Sequence, residues 1–199
     1  SARWVGRRWR TSRSKEVGLD GMTNACADVE TLKMELCSEG GLTLRTNLDP
    51  LDEIWKDRQA VPKNKVVVHP LEYAGEKAED KLVRVRKALR AKHADGMLMA
   101  SLDDIAWTLN MRGSDVHCNP VFVSYLLISM AKVTLFVDND KLTAEAEVYL
   151  RNLGVEVREY SDVASALGKY PDYSILIDPN EINYTLANAV KCNSVIRDV

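Results

Sequence analysis

The chain has 199 residues, 46% of them hydrophobic, which is apolar mass enough for one large or two small cored domains and excludes a disordered chain. Its 27 basic and 29 acidic residues nearly cancel, so no whole-molecule field exists to draw nucleic acid or an anionic membrane. Four widely spaced cysteines, Cys26, Cys37, Cys118 and Cys192, form no CxxC pair; they exclude a disulfide scaffold or zinc ribbon and fit a reducing cytosol.

Residues 1–16 carry Arg3, Arg7, Arg8, Arg10, Arg13 and Lys15 against a single Glu16. They read either as a phosphate-binding arm or as the cut edge of a larger domain, and Trp4 and Trp9 favour the edge, because paired tryptophans need an apolar surface to pack on. Strand pattern follows at 17–20. A helix is expected over 25–38 with Val29, Leu32 and Leu36 on one face, stopped by Gly40-Gly41, and then a strand at 42–45. Leu48, Leu51, Ile54 and Trp55 line one side of a short predicted helix within 47–58. Val61-Pro62-Lys63-Asn64-Lys65 reads as a linker, which divides the chain into 1–62 and 63–199.

The second part begins with a strand at 66–69. Ala78, Leu82, Val85 and Leu89 step by four, three and four along the next helix. Its acidic start (Glu76, Glu79, Asp80) and basic end (Arg90, Lys92, His93) match the macrodipole. A strand at 97–100, a helix at 102–110 and a hairpin of 121–129 with 132–138 come next. The apolar run 121–131 is broken by Ser124 and Ser129 and is too short to cross a bilayer; no segment has the pattern of a signal peptide. Thr143 is placed to cap a helix carrying Ala146, Leu150 and Leu153, ended by Gly154. Strand 155–160, helix 162–169, strand 174–178 and helix 181–191 complete a pattern that predicts a layered α/β/α protein with a mixed sheet. Val17-Gly18-Leu19-Asp20-Gly21 and Ile175-Leu176-Ile177-Asp178-Pro179 echo one another, each a strand ending in Asp before a turn and a helix. That is the pattern of two related units, the first cut short.

Chemistry is sparse. Neither GxGxxG nor GxxxxGK[ST] occurs among the ten glycines, and GxSxG is missing, so Ser114 reads as a turn hydroxyl. His69, His93 and His117 fall in separate elements with no HExxH, which leaves no metal ligand set and no catalytic residue to assign. Asp103-Asp104 reads as a pair of carboxylates capping helix-start amides, with Trp107 in the core. The stretch 110–125 differs: it gathers a guanidinium, a carboxylate, an imidazole and an amide in a Gly- and Pro-containing turn before a buried strand. Such a loop is either a functional site or a turn held by an internal Arg112–Asp115 pair.

These residues also carry a resemblance. The stretch 102–116 (LDDIAWTLNMRGSDV) followed by Asn119-Pro120-Val121-Phe122 resembles the second domain of Xaa-Pro aminopeptidases of the creatinase and prolidase superfamily; Ile54-Trp55-Lys56-Asp57-Arg58 and Leu71-Glu72-Tyr73-Ala74-Gly75 look like that family's interdomain connector. The resemblance implies the tail of a first creatinase N-terminal-like domain with its connector at 1–62 and a second, ribonuclease H-like one at 63–199. It implies that catalysis belongs to a further domain, outside these residues, holding two divalent ions, usually manganese. This region is then expected to be inactive alone, to wall the cleft against all but short proline-containing peptides and to support a homodimer in the cytoplasm. Arg112, Asp115 and Asn119 become substrate-side candidates. His117-Cys118 departs from relatives and takes no family role. The alternative is a noncatalytic α/β scaffold or binding module.

Overall fold

β-branched and aliphatic runs alternate with amphipathic stretches, and the computed structural model, which describes residues 15–169, 173–190 and 194–197, folds them into a mixed α/β architecture. The arginine-rich start with Trp4 and Trp9, and Cys192, lie outside the described residues. Contacts divide the chain into two units, one built from residues up to 60 together with 179–188, the other from 61–178 with the strand near the C-terminus.

In the first unit β1 (Glu16–Gly18) and β2 (Thr43–Arg45) pair in parallel, Val17 opposite Leu44. The helix between them, α1 (Cys26–Gly40), ends where Gly41 turns left-handed at φ 64° and its N–H reaches Cys37 O at 2.9 Å, a conformation that carries no steric cost without a Cβ. Val29 and Leu36 are buried, and Leu36 packs with Leu42 beside Val17, Leu32 and Leu44. The two echoing turns interlock here. Cys26 N–H donates to Ile182 O at 2.9 Å, Tyr184 N–H to Asn24 O at 3.0 Å and Thr185 N–H to Gly21 O at 3.1 Å. A Cβ on Gly21 would lie 2.8 Å from Thr185 Oγ1 and 2.9 Å from Thr46 O, which is why the turn takes glycine. Residues 47–58 form turns rather than the predicted helix. Asp49 accepts from Leu51 N–H at 2.9 Å and pairs with Arg58, while Ile54 and Trp55 stay exposed. A short helix is marginal without a surface to bury its apolar face, and the local Asp turn wins.

The second unit holds β3 (Val67–Val68), α2 (Leu71–Ala74), α3 (Ala78–Ala91), β4 (Gly96–Met99), α4 (Leu102–Thr108), β5 (Met111–Arg112), β6 (Ser124–Ser129), β7 (Val133–Val137), α5 (Ala144–Asn152), β8 (Val155–Arg158), α6 (Val163–Leu167) and β9 (Ser174–Ile177). The helix α7 (Tyr184–Ala189) leads to β10 (Ser194–Arg197), a strand outside the sequence expectation. The main sheet has the order β10-β9-β4-β6-β7-β8, with β6 alone running against the other five. All five residues of β7 are buried, and Leu126, Leu127 and Ile128 of β6 are consecutive and buried; successive side chains leave a strand on opposite faces, so both faces of the sheet are covered. The expected mixed-sheet α/β class is what forms.

Several boundaries shift for physical reasons. Val121 to Val123 fall outside β6, because Val121 N–H turns to Asn119 O (2.8 Å) and Val123 N–H to the Asp115 carboxylate (2.7 Å). Thr143 caps α5 as expected, accepting from Ala146 N–H at 3.1 Å. At α4 the cap is Ser101 Oγ, taking Asp104 N–H, rather than either aspartate; Asp103 instead accepts from the Asn119 side-chain amide at 3.1 Å. Trp107 is not core: it is 44% exposed, on the outer side of α4.

Candidate functional site

The loop joining β5 to β6 is built from below by three buried or half-buried cations. Asn110 closes α4 in a left-handed conformation (φ 50°), and its side chain is held at both ends: Nδ2 donates to Glu76 O at 2.8 Å and Oδ1 accepts from Lys81 Nζ at 2.6 Å. Lys81 also donates to Trp107 O at 2.8 Å and sits 4.0 Å from the centre of the Trp107 ring. Burial pushes the Lys81 ammonium pKa below its ordinary value, opposed by the nearby Glu76 carboxylate. Carbonyls at a helix C-terminus and an aromatic face are what a desolvated ammonium accepts in place of water.

Arg112 follows on β5, which pairs antiparallel with β3 through Val67 opposite Arg112. One guanidinium nitrogen, Nη1, donates to Ala106 O (2.8 Å) and Met111 O (2.9 Å), so this half-buried side chain leans on the end of α4. It makes no pair with Asp115, and the internal Arg112–Asp115 brace considered from the sequence is not formed. Gly113 lies against the far limb of the loop: a Cβ there would stand 2.7 Å from Phe122 Cβ and 2.9 Å from Val121 O. The close approach lets Gly113 N–H reach Pro120 O (3.3 Å) and Asp115 N–H reach Val121 O (3.2 Å).

Asp115 carries the deepest charge in the loop. Its side chain is fully buried, and one oxygen, Oδ2, accepts from both Val123 N–H (2.7 Å) and Lys141 Nζ (2.6 Å). Lys141 is 1% exposed and belongs to the helical turn Asn139–Lys141 after β7. The other oxygen, Oδ1, is buried with no hydrogen-bond partner. A buried ion pair of this kind is costly to break because either partner alone is an uncompensated charge. No sequence signal distinguished Lys141 from the solvated lysines around it. Nearby, Lys63 pairs with Asp138 at 3.0 Å, which lowers the carboxyl pKa of Asp138 and raises the ammonium pKa of Lys63.

At the tip, Val116 bridges Asn119, Cys118 adopts φ 61°, and His117 and Cys118 are exposed. Asn119 is fastened through Nδ2 to Asp103, with Oδ1 uncommitted. The structure therefore brings Arg112, Asp115 and Asn119 into one fastened loop but gives them different settings: Asp115 inside, Arg112 half-buried with Nε and Nη2 uncommitted, Asn119 at the surface. Among the described residues, no three His, Cys, Asp or Glu side chains converge as a metal site, so the donor set present does not fit a dinuclear centre. No described helix is long and apolar enough to cross a membrane.

A mixed six-stranded sheet covered on both faces and carrying a braced polar loop defines an α/β domain. Residues 57–199 match the Creatinase/Prolidase N-terminal domain, and the chain belongs to that family. It is 33% identical to Aminopeptidase P2 of Arabidopsis thaliana over 88% of its length, and 38% identical to a probable Xaa-Pro aminopeptidase P of Aspergillus niger over 78%. It spans about a quarter of the length of these relatives (25% and 26%). The X-prolyl aminopeptidase of Caenorhabditis elegans, described as a cytosolic enzyme with a di-nuclear active site, superposes with a TM-score of 0.87 over 98% of this chain and 33% of that one, at 26% identity.

Proposed function

We propose that this chain is the noncatalytic N-terminal part of a metal-dependent Xaa-Pro aminopeptidase, which releases the N-terminal residue preceding proline, and that it shapes access to the cleft and supports a homodimer. The observation that carries the reading is the match to aminopeptidases P over most of this chain and only a quarter of theirs. In this reading the two divalent ions, manganese by expectation, belong to a catalytic domain outside these residues. We assign 1–62 to the tail of a first creatinase N-terminal-like domain with its connector and 63–199 to a second one, and we place the protein in the cytosol, as the worm relative is described. The contact boundary between 60 and 61 supports the first division, while 179–188 group with the first unit.

The loop supplies the substrate side. Arg112 has donors to spare for a peptide carbonyl or terminal carboxylate, and Asn119 presents an amide oxygen to a peptide N–H. Asp115 acts from beneath, fixing the loop through Lys141 and Val123. The test is Arg112→Ala in the full-length enzyme with an Xaa-Pro-Xaa tripeptide. KM is expected to rise about tenfold with kcat nearly unchanged, the behaviour of a lost binding contact; an unaltered KM would remove Arg112 from the substrate's path.

A further inference from the structure

A second place in the unit has the composition of a ligand site. Between α5 and β8 lies a cavity of about 370 Å³ lined by Asn139, Leu142, Glu147, Arg151, Val155 and Val157. That volume is within the range of small-ligand sites. Of the lining residues Leu142 and Val155 are buried and Val157 is half-buried, while Glu147 and Arg151 are exposed.

Three observations select the occupant. First, Glu147 and Arg151 are four residues apart on α5, the spacing and order that favour a helix-surface ion pair, yet no such pair forms; both side chains are exposed with no ion-pair or hydrogen-bond partner among the described residues. One turn apart, they offer a carboxylate and a guanidinium separated along the groove. Second, β8 is the last strand of the sheet, with β7 on one side and no strand on the other among the described residues. Its outer backbone groups are a template for an added extended segment. Third, the spacings agree. Leu153 and Gly154 turn the chain from α5 directly into β8, so along the shared lining Arg151 and Val155 lie toward the turn and Glu147 and Val157 away from it. Four helical residues advance about 6 Å and two strand residues about 6.6 Å, so the two charges keep step with the two valines.

We infer that this groove is a binding site for a short zwitterionic peptide lying antiparallel along β8, its ammonium end at Glu147, its carboxylate at Arg151 and an apolar side chain on Leu142, Val155 and Val157. The assignment does not rest on the aminopeptidase reading, because none of these residues belongs to the loop at 110–122.

The test is a titration of the ¹⁵N-labelled full chain with glycyl-L-leucine, which lacks proline and so is not a substrate in the proposed reaction. Amide shifts are expected at 147–151 and 155–158. Capping both ends, as N-acetylglycyl-L-leucine amide, is expected to weaken binding about tenfold or more, as are Arg151→Gln and Glu147→Gln singly. Unperturbed spectra elsewhere in these exposed-site variants establish that they fold. Equal binding of the capped peptide, equal binding of L-leucine alone, shifts confined to other elements, or no saturable shift would each overturn the assignment.

Discussion

Asp115 shows how a residue chosen for its chemistry is used for its charge in a different way. The sequence marks it as a carboxylate in a polar turn, and the structure turns it inward onto Lys141, 26 positions later, with both side chains out of solvent. Removing one partner leaves the other buried and uncompensated, so Asp115→Ala is expected to cost about 3–5 kcal/mol in urea unfolding, while Asp115→Leu with Lys141→Met recovers most of it. Additive losses in the double variant would mean that the two charges do not act as a pair. Lys81 makes a prediction in pH. Its folded pKa is depressed by burial below its ordinary value, so between the folded and unfolded values the unfolded chain binds the extra proton. Stability therefore rises with pH through that window relative to Lys81→Met, and parallel pH profiles of the two proteins would contradict the desolvated state of the ammonium. Neither Lys81 nor Lys141 was legible beforehand, because lysines are nearly always solvated and only long-range packing, onto Trp107 and Asn110 or onto Asp115, takes them out of water.

Elements whose signal is local are the ones the sequence states well. The α3 stripe of Ala78, Leu82 and Leu89 is buried as its spacing requires, and the β6–β7 hairpin and the Thr143 cap of α5 form where apolar runs and a hydroxyl placed them. Elements decided by tertiary partners are not. Residues 47–58 carry a helical stripe with no core to bury it, and Trp107 carries an aromatic ring that faces Lys81 and Arg84 rather than the interior. The loop between β5 and β6 is intermediate: its residue types mark it, while its bracing by Phe122 and Val123 is set by the close approach of its two limbs. Gly113 tests that bracing. In Gly113→Ala the added methyl meets Phe122 Cβ and Val121 O, so the two limbs must separate. A loss of about 1–3 kcal/mol in thermal or urea unfolding is expected, and full stability would show that the limbs have room to move.

For the whole molecule, composition and period indicated a mixed α/β sheet, while the resemblance to aminopeptidases P rested most specifically on residues 102–122, with 54–58 and 71–75 beside them, and it is at 102–122 that a braced loop gives the sequence its individuality. The relatives are about four times as long as the match within them, and in the proposed reading the described side chains are a scaffold beside chemistry supplied elsewhere. The direct measurement is made on the purified 199-residue chain with manganese: calorimetric titration of the ion, followed by an assay on an Xaa-Pro-Xaa tripeptide. The account predicts no binding at micromolar metal and no release of the N-terminal residue; saturable manganese uptake with turnover by this chain alone would contradict it.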